Sequence, residues 1–128
     1  MNRQRTLEEL EGDRWGPPTF DSNLVTECHR LRKVPLEQLT AENLRIMIGQ
    51  MIGLPHLMPL ALDRLEENPF TEGDYYPGDL LLAVLRVGSD FWKANPELFY
   101  RLNDLMSGVE SCAELLNGEV LPAWNLIK

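Results

Sequence analysis

The sequence predicts an all-α protein, a single compact domain over residues 1–128 with about six to eight short helices around a central apolar helix. Three observations point there. Apolar residues recur at spacings of three and four in window after window, which lines them up on one helix face. No stretch sustains the alternation with β-branched enrichment that a strand needs. Nine prolines and nine glycines punctuate 128 residues, which favours many short helices over the long ones of a four-helix bundle. A chain of this length removes roughly two thirds of its unfolded surface from water, enough for one core.

Thr6-Leu7-Glu8-Glu9 fits a capping box and opens a helix over residues 7–12, followed by the turn-rich loop Trp15-Gly16-Pro17-Pro18. Ser22 caps a helix over residues 23–33, with Leu24, Cys28 and Leu31 on its buried face and Arg30, Arg32 and Lys33 toward water. Pro35 closes it. A turn at residues 36–39 leads to Thr40, the N-cap of a helix whose stripe of Leu44, Met47, Ile48 and Met51 runs up to Gly53. The next helix is expected from about Pro59 to Glu67, with Ala61, Leu62 and Leu65 inward. Residues 70–79 form the longest turn-rich loop. Residues 80–87, apolar except for Arg86, are expected to be the central helix. Ser89 caps a short helix with Trp92 in the core, and Asn95-Pro96-Glu97 opens another with Leu98, Leu102, Leu105 and Val109 in line. The tail, residues 118–128, is either a docked extended arm or a last short turn.

Between Arg45 and Asp63 the chain carries no formal charge, and Gly49 and Gly53 are spaced as in helix pairs within membranes. Those 17 residues lie at the short edge of what crosses about 30 Å of hydrocarbon. They also contain Gln50, His56, Pro55 and Pro59. Gly53-Leu54-Pro55 reads better as a soluble stop and restart: a left-handed glycine, a residue pushed out of helix by the next ring, and a proline suited to the first turn.

Charge narrows the function. Twenty acidic against twelve basic residues give a net charge of -8, which disfavours direct binding to nucleic acid or an anionic membrane and favours a cationic partner. Residues 1–62 hold seven bases and eight acids, net -1, so residues 63–128, with five and twelve, carry the remaining -7. No secretory apolar region follows MNRQR, so the chain is expected in the cytoplasm with Cys28 and Cys112 reduced.

Motifs for chemistry are missing. Cys28 and His29 are neighbours on a helix, about 100° apart, and cannot face each other as a nucleophile and its base. His29 and His56 sit in no zinc or di-iron spacing, and Glu72, Asp74 and Asp79 lack the calcium-loop pattern. Asp79 instead suits a helix start, with Pro77 at the first position and its own charge at the third. No catalytic, cofactor or metal residue is assigned and no cofactor is expected. An enzyme would have to rest on Asp63, Asp74 or His56. Tyr75 and Tyr76, in an acidic loop, have the amphipathic character of contact residues.

Several strings together, LEELEGDRWGPPTFDSNLV, PLEQLTAENLRIMIGQMIGLPHLMPLALDRLEENP, EGDYYPGDLLLAVLRV and FWKANPEL, resemble immunity proteins of bacterial contact-dependent growth inhibition systems. The resemblance covers about residues 7–105. It implies a non-enzymatic, helical, cytoplasmic inhibitor that binds a delivered toxin domain stoichiometrically, as a monomer before binding. The toxin it implies is basic and a nuclease, a target that an acidic inhibitor suits. Because such proteins differ where they discriminate among toxins, Gly49-Gln50, Leu54-Pro55 and Pro77-Gly78-Asp79 are expected to be scaffold. The toxin-binding residues expected are Asp63, Glu66, Glu67, Glu72 and Asp74, with Tyr75 and Tyr76 as anchors and Asp104, Glu110 and Glu114 in reserve. The alternative is a helical adaptor or regulator that binds another protein through an apolar groove.

Overall fold

The computed structural model describes residues 2–17 and 22–128, and among these every element is helical. In order they are α1 (Leu7–Glu11), α2 (Asn23–Leu31), α3 (Ala41–Gly49), α4 (Leu54–Glu67), α5 (Asp79–Leu85), α6 (Ser89–Ala94), α7 (Pro96–Leu115) and α8 (Leu121–Ile127). A 3-10 turn at Leu36–Gln38 precedes α3 and a π-helical turn at Leu116–Val120 joins α7 to α8. Pro18 of the first loop lies outside the described residues. No helix among the described residues is long and apolar enough to cross a membrane. The backbone gathers into two compact units, Met1–Ser89 and Asp90–Lys128.

In the first unit α3 packs most extensively on α5, then on α4 and α2. The largest share of the core comes from α4, where Leu57, Met58, Leu60, Ala61, Leu62 and Leu65 are buried, and α3 adds Leu44, Met47 and Ile48. Full burial of each large side chain is worth about 2 kcal/mol. Leu80, Leu81, Val84 and Val87 are also buried, while Leu85 is exposed, so the apolar girth of α5 is not wholly enclosed.

Caps set these boundaries. Thr6, Ser22 and Thr40 each accept a hydrogen bond from a first-turn N–H, of Glu9, Val25 and Asn43 respectively, and only Thr40 with Asn43 closes a reciprocal capping box. α1 is tied down by backbone bonds from Glu8 N–H to Arg32 O and from Leu36 N–H to Arg5 O just before it.

Three expectations change around the uncharged stretch. The helix expected from Pro59 starts at Leu54, because Gly53, left-handed at φ 63°, both ends the turn after α3 and caps α4, leaving no room for an extended Leu54. Pro55 takes the first-turn role and Pro59 lies inside the helix, where the Pro55 carbonyl forgoes an N–H partner. Met51 is not on the buried stripe: α3 stops at Gly49, and Met51 adopts φ 59° and is 53% exposed.

Arg32 corrects the reading of α2. The helix ends at Leu31, and Arg32, 2% exposed, turns inward to pair with Glu11, donate to the Asp13 carbonyl and stack 4.3 Å over the Trp15 ring. A guanidinium can be buried this way because its two terminal nitrogens are paired and its face rests on an aromatic, although its buried Nε has no partner among the described residues. Leu24, expected inside, is 44% exposed.

In the second unit Trp92, Leu102 and Leu105 are buried. Asn95 does not cap α7 with its side chain, which donates instead to the Phe91 carbonyl at 2.8 Å. The tail is neither an extended arm nor a single turn. It continues helically through the π turn and α8, with Leu115, Leu116, Val120, Leu121, Trp124, Leu126 and Ile127 exposed.

Candidate functional site

Residues 72–77 form a tight loop between α4 and α5, pinned at its neck by an antiparallel bridge between Glu72 and Pro77. Its shape is dictated from inside. Asp79, the first residue of α5 and 4% exposed, turns its carboxylate back into the loop and accepts the backbone N–H groups of Gly73 at 2.7 Å, Tyr75 at 3.1 Å and Tyr76 at 3.4 Å. Glu42 on α3 accepts the Asp74 N–H at 3.0 Å and is clamped by Arg45, whose Nε and Nη2 both reach it at 2.6 Å. Arg45 Nε lies 3.9 Å from Asp79, too far for a hydrogen bond, so backbone donors hold that carboxylate.

Gly73 is where this arrangement requires glycine: a Cβ there would sit 2.6 Å from Glu42 Oε1 and 3.0 Å from Asp79 Oδ2. Gly78, at φ 94°, supplies the left-handed turn into α5. Asp79 was expected to serve the helix start at its third position behind Pro77. In the structure it is the first residue, Pro77 stays outside the helix, and the carboxylate organises the loop instead.

Both carboxyls are tuned by these contacts. Burial would raise Asp79, but the N–H groups of Gly73, Tyr75, Tyr76 and Leu80 outweigh it and hold the group below its ordinary value of 3.8. Glu42 is lowered chiefly by its bond to Arg45, against the cost of burial, with help from the Asp74 N–H. Depressed carboxyls contribute stability that is complete above their unfolded values and lost as pH falls through the folded ones. The melting temperature is therefore expected to hold down to about pH 5 and drop below it. Asp79→Asn should flatten part of that drop, as scanning calorimetry across pH will show.

The locked loop presents Tyr75, 71% exposed, with its ring 4.5 Å over the Arg45 guanidinium, and Tyr76, 48% exposed. Tyr75 stands between two cavities. One, of about 520 Å³, runs beside α2 and α3 and is lined by Glu27, Glu42, Asn43 and Asp74 among others. The other, of about 170 Å³, lies toward α5, with Arg45, Met51, Tyr76, Asp79 and Arg86 on its walls.

The expected contact residues therefore fall into groups. Glu72, Asp74, Tyr75 and Tyr76 share the loop and are exposed. Asp63 and Glu67 line a separate cavity on α4, where Asp63 pairs with Arg3, and exposed Glu66 lines none of these cavities. Asp104, Glu110 and Glu114 are exposed on α7. Sequence reasoning missed Glu42, Arg45 and Arg86. The first two stand three apart on one helix, a visible pair, but nothing in the sequence joins Glu42 to Asp74, which lies 32 residues further on.

A nucleophilic role for Cys28 fails in the structure. Its thiol is buried, and burial followed by the charge of Glu27 pushes it up, away from the reactive thiolate. His29 turns to Trp15 and to the Gly16 carbonyl, 2.9 Å from Nδ1.

Residues 9–102 match the sequence profile of the CDI immunity proteins, that is, immunity proteins of contact-dependent growth inhibition. The chain belongs to that family. No curated protein and no solved structure matches it. CDI immunity proteins are non-enzymatic inhibitors, so the partner of this one is a cognate CDI toxin. The adaptor alternative gives way to that membership. The matched span contains α2 to α6 and the whole of the locked loop.

Proposed function

We propose that this CDI immunity protein neutralises its toxin in the cytoplasm as a monomer that forms a one-to-one complex, that the toxin is a basic nuclease, and that residues 72–76 seat it. One observation carries the reading: the loop is fixed from behind by Asp79 and Glu42, so Tyr75 is displayed without an ordering cost at binding. Aromatic side chains so displayed are typical anchors. Asp74 beside Tyr75 suits lysine and arginine side chains of a surface that binds phosphates, whereas Glu27 is already paired with Arg30. The acids of α4, Asp63, Glu66 and Glu67, add long-range attraction rather than close contact.

Anchor and steering residues are distinguishable by kinetics. Tyr75→Ala is expected to weaken toxin binding about 10–30-fold, mainly through faster dissociation. Glu66→Lys with Glu67→Lys is expected to slow association several-fold at low salt and leave dissociation alone. Surface plasmon resonance against the toxin domain encoded beside this chain measures both. A nuclease assay on the mixture tests inhibition, and absence of a complex, or a complex in which the toxin stays fully active, rejects the reading.

A further inference from the structure

We propose that the cavity of about 170 Å³ between the tyrosine loop and α5 receives a carboxylate of the toxin, with Arg86 as its counter-ion. This deepens the proposed function and rests on it. An acidic inhibitor of a basic protein has no general need for such a site. The case comes from which charged side chains on its walls already have partners.

Arg45 is already neutralised by two bonds to Glu42, and the Asp79 carboxylate is consumed by the loop N–H groups. Arg86, the C-cap of α5, is exposed; its backbone N–H bonds to Leu82 O, but its side chain has no hydrogen bond or ion pair with any described residue. Asp79 keeps its negative charge, which neutral N–H groups do not cancel, but its oxygens are already bonded; Arg86 is the charged side chain on these walls that lacks a partner among the described residues. Tyr75 and Tyr76 line the same cavity, and their hydroxyls likewise have no partner among the described residues and can donate. A guanidinium fork binds a carboxylate bidentately, and hydroxyl donors on the same cavity can add to it. Phosphates of a nucleic acid fit less well, because a net charge of -8 repels a polyanion more strongly than a single carboxylate.

The remaining wall is adaptable. Met51 stands at the cavity in a left-handed conformation that L residues rarely adopt, held by its N–H bond to the Ile48 carbonyl at 2.9 Å. Its unbranched thioether can mould to an incoming side chain. One unpaired guanidinium in a cavity of an otherwise acidic protein fixes the register of a partner, since a toxin without the matching carboxylate leaves Arg86 facing an apolar or like-charged group.

The test uses the full chain and the toxin domain encoded beside it. Arg86→Gln is expected to raise Kd at least 10-fold and Arg86→Glu at least 100-fold, with unchanged melting temperatures because the exposed Arg86 side chain has no hydrogen bond or ion pair among the described residues. Against Arg86→Glu, each toxin Asp and Glu is replaced by Lys in turn, and separately the toxin C-terminus is extended by a short neutral tail. Rescue by one Lys variant identifies a side-chain carboxylate, whereas loss of wild-type binding on extension identifies the terminal one. Either supports the site. Arg86→Gln binding within twofold of the unsubstituted protein, while Tyr75→Ala still weakens binding, would overturn it and leave the loop anchor standing. If the unsubstituted protein forms no complex, the proposed function itself falls.

Discussion

Asp79→Ala is expected to lower the stability of the protein by about 2–4 kcal/mol, because it strands loop N–H groups that a charged, buried acceptor now satisfies. Solvent can rescue some of those donors once the loop opens, which keeps the cost below the sum of the separate bonds. The loop should lose its fixed shape as well as its stability. Slow amide hydrogen exchange at Gly73 and Tyr75 is expected to become fast in the variant while amides in the middle of α4 remain protected. Chemical denaturation measures the first effect and exchange followed by NMR the second. Asp79→Asn, which keeps one oxygen acceptor but places a donor where an acceptor stood, should fall between the alanine variant and the native protein. If Asp79→Ala melted with the native protein, the loop would have to be held by something other than this carboxylate.

Gly53→Ala should cost about 2–4 kcal/mol by a different route. The backbone there has φ 63°, a region that costs an L residue about 1–2 kcal/mol. The added Cβ would also lie 2.7 Å from the Leu7 side chain, which is wholly buried, so that side chain or the helix carrying it must shift to admit it. Gly12 separates the two contributions. It has a similar φ of 64° but open space around it, so Gly12→Ala should show the backbone cost alone. The difference in denaturation midpoints between the two variants then measures how tightly α1 is docked, and equal midpoints would show that Leu7 yields freely.

Much of this fold was legible in the sequence because helix ends are written locally. Ser22, Thr40 and Pro96 stand where side-chain oxygens or a preset φ are needed at helix starts, and each does what its type suggests. The stop and restart at Gly53 was legible for the same reason. Its consequence for Leu54 was not, because the choice between an extended residue and an immediate helix depends on how α1 and α4 pack around that glycine. Arg32 shows the limit most clearly. Helix periodicity placed it in water, and only Glu11, the Asp13 carbonyl and Trp15, brought together by tertiary structure, make an inward guanidinium favourable.

The candidate site divides in the same way. Its visible residues, Asp74, Tyr75 and Tyr76, could be picked from composition alone, because an exposed pair of tyrosines in an acidic turn is uncommon on a surface without a partner. The groups that hold them could not. Asp79 looked like ordinary helix-start chemistry, and Glu42 lies on another helix, so its hydrogen bond to the loop depends on how that helix is placed. Arg86 was overlooked because a lone charge in an apolar helix reads as its solvent-facing position.

The loop is gripped through main-chain amides, those of Gly73, Asp74, Tyr75 and Tyr76, so its outward side chains contribute little to keeping its course. Apart from Gly73, whose hydrogen is wedged between two acids, these positions can exchange residue type while the trace of the chain stays put. A lineage carrying this scaffold can therefore explore new recognition alphabets one letter at a time, and each trial retains a folded molecule on which selection can act.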